Sequence, residues 1–256
     1  MHLVKFRIDS ERYPTRRFYP FNVPLLSTPT EVTLRSPVTF FVGENGSGKS
    51  TLLEALTRCC GVHIWDKPKR HVAHHNPYEG RLADCVSVTW ASGRVPGALF
   101  RAETFRDFAD FIDDVALCDP GRLQYQGGQI LNTLSHGEAI LSYFDNRYRT
   151  PGLYFLDEPE SAFSPARQIE FLHLLQRLAA QGHAQFIIVT HSPLLLALPG
   201  AQILSFDGSH IETLDYEETA HYQLYKQFFA DRDALLATSD APASFKRQNG
   251  HHHTNI

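Results

Sequence analysis

Eight consecutive residues constrain this chain more than anything else in it. Gly43-Glu44-Asn45-Gly46-Ser47-Gly48-Lys49-Ser50 fits the pattern G-x-x-x-x-G-K-[ST], and Thr51 follows. The apolar run Val38–Val42 precedes it, and residues 49–60 read as a helix. A buried strand feeding a glycine-rich turn and a helix N-terminus makes a cradle for phosphate oxygens. The glycines let backbone N–H groups turn inward, and the helix start adds positive potential. Lys49 is placed to reach terminal phosphates, and the Ser50 hydroxyl is a ligand type for Mg²⁺. A chance glycine-rich turn has no reason to bring strand, loop, Lys-Ser and helix together.

Three further pieces lie downstream. Gly152-Leu-Tyr-Phe-Leu-Asp157-Glu158 is a strand that delivers an acidic pair at its C-terminal end, where open α/β sheets bind ligands. Asp157 is placed for the metal shell and Glu158 for the attacking water; the rival reading is a helix cap, with Glu160 serving a turn. Ser135-His136-Gly137-Glu138 opens a helix, which suits an anion but equally suits an N-cap with Glu at N3. His191 follows the strand at residues 185–190 and is within reach of a terminal phosphate, although a lone histidine is more often structural.

The rest of the chain reads as a framework for these pieces. Strands at residues 3–8, 32–34, 38–42, 85–90, 98–101, 153–156 and 185–190 alternate with helices at 49–60, 104–117, 135–147 and 165–181. Residues 203–206 and 210–214 read as a hairpin, and 217–237 as one closing helix. The class is α/β with a mainly parallel central sheet, an antiparallel N-terminal β region and a small helical subdomain at about 104–147. Residues 1–237 form one domain, and 238–256 a polar tail. Phe105, Phe108, Phe111 and Ile112 are expected in the core, as are Cys59 and Cys60. The net charge of −4 excludes a bulk cationic surface for nucleic acid. No apolar run approaches the ~18 residues of a membrane helix, no signal peptide is read, and four unpaired-looking cysteines suit a cytoplasmic setting. The basic, histidine-rich stretch 67–81, with His71, His74 and His75, reads chiefly as a solvated face.

The order of these motifs resembles that of the ATP-binding-cassette (ABC) ATPases. FFVGENGSGKSTLLEAL, LSHGE, LYFLDEPESAFSP and FIIVTHSPLLL carry the resemblance, which is closest to stand-alone ATPases with heads similar to those of the SMC and double-strand-break-repair proteins. It implies a P-loop NTPase fold, ATP as substrate, Mg²⁺ as cofactor, and a head-to-tail homodimer holding two ATP molecules. Each site would take Gly43–Thr51, Asp157, Glu158 and His191 from one chain. Ser135, His136, Gly137 and Glu138 would come from the other. Glu160–Ser164 resembles the family's D-loop. The chain departs from the pattern in two places: Glu103 stands where a metal-sensing Gln is usual, a further candidate for the metal shell, and SHGE replaces SGGQ. Too few residues separate Glu103 from Ser135 for a coiled-coil arm. Tyr13, Phe18, Tyr19 and Phe21 are candidates to stack on adenine. Two rival roles stay open: a nucleotide-controlled clamp on nucleic acid or protein, and the energising subunit of a transporter.

Overall fold

The computed structural model describes residues 1–65, 76–119, 121, 123 and 128–237. Two sheets organise it. The larger has six strands in the order β5 (Gly97–Arg101), β6 (Gly152–Asp157), β7 (Ala184–Val189), β3 (Val38–Val42), β8 (Gln202–Ser205) and β9 (Glu212–Leu214). All neighbours are parallel except β8 and β9, which form the expected antiparallel pair. The smaller sheet is antiparallel, with β1 (Leu3–Ile8) between β2 (Thr30–Thr33) and β4 (Val86–Trp90).

Strand side chains alternate between two cores because Cβ atoms alternate across a pleated strand. Phe40, Val42, Tyr154, Leu156, Phe186 and Ile188 face one core. That core is completed by α2 (Phe105–Cys118), α3 (His136–Arg147), α4 (Pro165–Ala180) and α5 (Pro193–Leu196). Phe41, Leu153, Phe155, Ile187 and Val189 face the other, beneath α1 (Lys49–Cys59) and the small sheet. The central strands are thus buried on both faces, which is why they read as continuous apolar runs. Side-chain amides tie the sheets together, with Gln202 on β8 donating to the Thr33 carbonyl on β2 at 3.1 Å. The buried Gln185 side chain on β7 accepts from the His2 and Leu3 N–H groups, each at 2.8 Å, and donates to the Leu3 carbonyl at 2.9 Å.

The helical stretch shares the first core through Phe105, Ala109, Ile140, Tyr143 and Phe144. The Asp113 carboxylate on α2 accepts from the N–H groups of Leu131 and Asn132, at 3.0 and 2.9 Å, and so anchors the approach to α3.

Two expectations are corrected. The closing helix is broken into α6 (Ala220–Ala230) and α7 (Arg232–Ala237). Asp231 is non-helical at φ −153°, and its carboxylate accepts from the Ala234 N–H at 2.9 Å, which starts a new helix. Phe111 is 53% exposed rather than in the core, because only one side of α2 packs. Cys60 is buried and Cys59 half-buried, as expected of packing residues, and none of the four cysteines is paired. The tail and most of the stretch 67–81 lie outside the described residues.

Candidate functional site

Parallel strands end on one edge of the sheet, and that edge gathers the sequence motifs. β3 runs into Gly43, β6 ends at Asp157, β7 leads to His191, and β8 leads to Asp207. Gly43, Gly46 and Gly48 all have positive φ, at 145°, 79° and 102°. Gly48 has a second constraint: a Cβ there would lie 2.9 Å from Val23 Cγ1 and 3.3 Å from Leu26 Cδ1. The proline-rich segment therefore buttresses the loop. The Glu44 N–H donates to Asp207 Oδ1 at 2.6 Å, which fixes the other end.

Lys49 is buried, and its Nζ donates to the carbonyls of Gly43 and Glu44 at 2.6 and 2.8 Å. Burial pulls its pKa down, against the opposing pull of Asp207, Glu158, Asp157 and Glu44. Ser50 Oγ donates to Asp157 Oδ1 at 2.8 Å. Burial pushes the Asp157 carboxyl above its usual range, despite Ser50 and Arg101 beside it. Arg101 Nε stands 3.9 Å from Asp157 Oδ2, and its guanidinium also holds Glu54 at 2.8 Å. Glu103 joins Ser50, Asp157, Glu158 and Ser161 around a cleft of about 280 Å³.

Glu158 has φ 47°, the one non-glycine residue with positive φ among the described residues. Left-handed backbone is costly for a side chain with a Cβ and tends to occur where a site demands it. The turn aims the carboxylate at His191, whose Nε2 lies 3.7 Å from Glu158 Oε1. The His191 N–H donates to Glu160 Oε1 at 2.6 Å, and burial raises the Glu160 pKa against the hydrogen bonds it accepts. On its other side, His191 Nδ1 lies 3.1 Å from Nε2 of His221, on α6.

The signature segment is elsewhere. Ser135 and Glu138 form a capping box on α3, with Ser135 Oγ donating to Glu138 Oε2 at 2.6 Å. Glu138 also pairs with Arg167 at 2.9 Å. The His136 ring packs edge-on to Phe105. A Cβ on Gly137 would lie 3.5 Å from the Ala162 carbonyl, so the segment abuts the turn that follows Glu158. Among the described residues, no hydrogen bond joins it to the phosphate-binding loop of its own chain.

The aromatic candidates separate. Phe21 is buried and packs at a tilt against Tyr13, whose hydroxyl donates to the Leu26 carbonyl at 2.7 Å. Phe18 and Tyr19 are exposed, and the Tyr19 hydroxyl lies 2.8 Å from Thr51 Oγ1. Sequence reasoning missed Asp207, the Arg101–Asp157 pairing, the clamp made by Glu160, and His221. Asp207 carries a signal like that of Asp157, an acid just past a strand. His221 carries none, because only the return of α6 brings it to the site.

A Mg²⁺ ion fits this donor set. Ser50 and Asp157 offer a hydroxyl and a carboxylate side by side, both hard oxygen ligands. Burial leaves the carboxylate charge incompletely offset.

Two family models match parts of the chain. "AAA domain, putative AbiEii toxin, Type IV TA system" matches residues 139–197, and "AAA domain" matches residues 18–89. The hemin import ATP-binding protein HmuV of Bradyrhizobium diazoefficiens is 28% identical over 202 residues, covering 69% of this chain and 74% of that protein. The HmuV of Rhodopseudomonas palustris is 30% identical over 172 residues, covering 59% and 63%. The chain spans about half of a third relative, ribose import ATP-binding protein RbsA 2 of Burkholderia ambifaria, at 23% identity, 82% of this chain and 46% of that one. A solved structure described as "an inward-facing conformation of a putative metal-chelate type ABC transporter" shares the fold at TM-score 0.53 and 17% identity, covering 88% of each chain. No helix among the described residues is long and apolar enough to cross a membrane. Its relatives, its motif order and its mainly parallel sheet agree in supporting an ABC-type P-loop ATPase.

Proposed function

We propose that this chain binds ATP with Mg²⁺ and hydrolyses its terminal phosphoanhydride bond. The observation that carries this reading is the 2.8 Å bond between Ser50 and Asp157, with Lys49 and Glu158 electrostatically coupled to the same pocket. Gly43 to Thr51 cradle the phosphates through backbone N–H groups, and Lys49 exchanges loop carbonyls for phosphate oxygens. Ser50 and Asp157 hold Mg²⁺, with Glu103 at the rim of the same cleft. Bound between them, the ion would supply positive charge against the phosphates. Glu158 orients water and accepts its proton as oxygen attacks the terminal phosphorus and ADP leaves. His191 donates to the terminal phosphate.

The capped Ser135–Glu138 segment completes the site of a second copy, so that ATP holds a head-to-tail homodimer. Its isolation from its own chain's loop supports that arrangement. Glu158→Gln tests both parts. The amide is nearly isosteric but accepts no proton from water. Turnover should fall by about 100-fold or more, while ATP binding persists and light scattering reports a doubled mass. Near-normal turnover overturns the role of Glu158, and an ATP-loaded monomer overturns the shared site.

A second reading makes the chain the ATP-binding subunit of an importer. The relatives' names favour it, and so does an apolar groove between β5 and α2. Trp65, Leu99, Phe108, Phe111 and Ile112 line that groove, which suits an apolar helix of a membrane-spanning partner.

A further inference from the structure

His221 belongs to no motif, yet it is the side chain that touches the back of His191. It occupies the second position of α6, whose start is fixed by buried Thr219, where Oγ1 accepts from the Tyr222 N–H at 3.3 Å. His191 is equally fixed, its N–H held by Glu160 at 2.6 Å. The rings meet with His191 Nδ1 and His221 Nε2 at 3.1 Å, a hydrogen-bonding distance that needs one proton between them. The outer nitrogens, His191 Nε2 and His221 Nδ1, are both buried without a hydrogen-bond partner in the chain. Burial favours the neutral form of both rings, so each carries one N–H.

Two arrangements of those protons exist, and the surroundings separate them. If His191 Nδ1 donates, its Nε2 turns a bare lone pair toward the Glu158 carboxylate 3.7 Å away. His221 Nδ1–H is then a buried donor with no acceptor, an expensive thing to leave inside a protein. If His221 Nε2 donates instead, His221 Nδ1 is bare where nothing needs it. His191 then presents Nε2–H to Glu158 and to the phosphate side. Each arrangement leaves one N–H without a full hydrogen bond in the chain, but in the second that N–H faces the Glu158 carboxylate at 3.7 Å, whereas the first sets a lone pair against that carboxylate and leaves the donor with no acceptor at the back.

We infer that His221 is a positioning residue that holds His191 in its Nε2–H tautomer, so that the site receives a hydrogen-bond donor and not an acceptor. This rests on the proposed role of His191 toward the terminal phosphate, but the tautomer itself is readable without turnover. Long-range ¹H–¹⁵N correlation spectra of the histidine-labelled, nucleotide-free protein should show His191 with a protonated Nε2 and a bare Nδ1. His221→Gln keeps an N–H donor at a similar reach and should preserve that pattern. His221→Phe keeps a ring but no donor and should release it, with Nδ1–H appearing on His191. In turnover, His221→Phe should lower kcat about tenfold, the scale of one lost hydrogen bond, with KM for ATP little changed. His221→Gln should recover most of the loss. A bare Nε2 in the wild type, or an unchanged tautomer in a folded His221→Phe variant, overturns the inference. If His221→Phe does not fold, the wild-type spectrum alone decides. A correct tautomer in a protein that never turns over ATP would instead defeat the ATPase reading.

Discussion

Gly48→Ala is the most discriminating test of how the phosphate-binding loop is built, because Gly46→Ala supplies its control two residues away in the same loop. Both glycines have positive φ, at 102° and 79°, but a Cβ on Gly46 meets nothing within 4 Å. For Gly46→Ala only the backbone matters. An L-residue in left-handed space costs about 1–2 kcal/mol, and the lower entropy of the unfolded chain returns about 0.4–1 kcal/mol. The net is about 0.5–1 kcal/mol. For Gly48→Ala the new methyl also lies 2.9 Å from Val23 Cγ1 and 3.3 Å from Leu26 Cδ1. Both partners are buried, at 7% and 0% exposure, so neither swings aside freely. Overpacking adds about 1–3 kcal/mol, for a total of about 2–4 kcal/mol. At about 2–4 °C per kcal/mol for a chain of this size, Gly46→Ala should lower Tm by about 1–4 °C and Gly48→Ala by about 5–15 °C. Thermal melts followed by circular dichroism, without nucleotide, read the difference. Adding Val23→Ala removes the clashing methyl, so its effect in the Gly48→Ala background should be smaller than in the wild type. Equal melting of the two alanine variants, or strict additivity with Val23→Ala, would refute the claim that the proline-rich segment braces the loop.

Two further outcomes follow from the site. Lys49→Ala loses the loop cation but keeps its signature, whereas Ser135→Arg keeps the loop and blocks the signature; each homodimer should be inactive, and mixing them should restore part of the ATPase activity. Full activity in Ser135→Arg alone would reduce the segment to a helix cap. Burial raises the Glu160 pKa in the folded state above its usual 4.5, so the ionised group costs stability at neutral pH, and that cost vanishes as pH falls below the unfolded value. Glu160→Gln should therefore raise Tm near pH 8 relative to wild type, with the advantage shrinking on acidification toward pH ~4; a difference independent of pH would contradict the assignment.

The elements legible in the sequence were those whose pattern is set locally. The strands that lead to Gly43 and Asp157 are nearly all apolar, Thr39 aside, because both faces are covered, and a turn residue or an acid stands at the end of each. The phosphate-binding loop announces itself through Lys49 and its three glycines, all of which have positive φ. Position 231 escaped notice because an aspartate within a helical pattern reads as a surface residue until its carboxylate is seen capping Ala234. The spacing of Phe111 matches the buried stripe of α2, but the neighbouring elements cover only part of that helix and leave it exposed. The pairing of Arg101 with Asp157 follows from β5 lying next to β6 in register, a tertiary fact with no local trace. His221 is the extreme case, since thirty residues of chain separate it from the imidazole it meets.

The Gln185 side chain gives the molecule a mechanical property. It grips both an N–H pair and a carbonyl of the edge of β1 from the middle of the large sheet, as a rivet passes through two plates. An amide is the side chain suited to this, because it presents an acceptor and a donor at one tip; a carboxylate of the same length would set like charge against the Leu3 carbonyl. The small antiparallel sheet is therefore not a flap free to swing on its loops. Any displacement of β7, the strand that leads to His191, is transmitted directly to β1 and from there to its neighbours β2 and β4. Under the proposed ATPase reading, a shift that begins at the phosphate end would carry the two plates together.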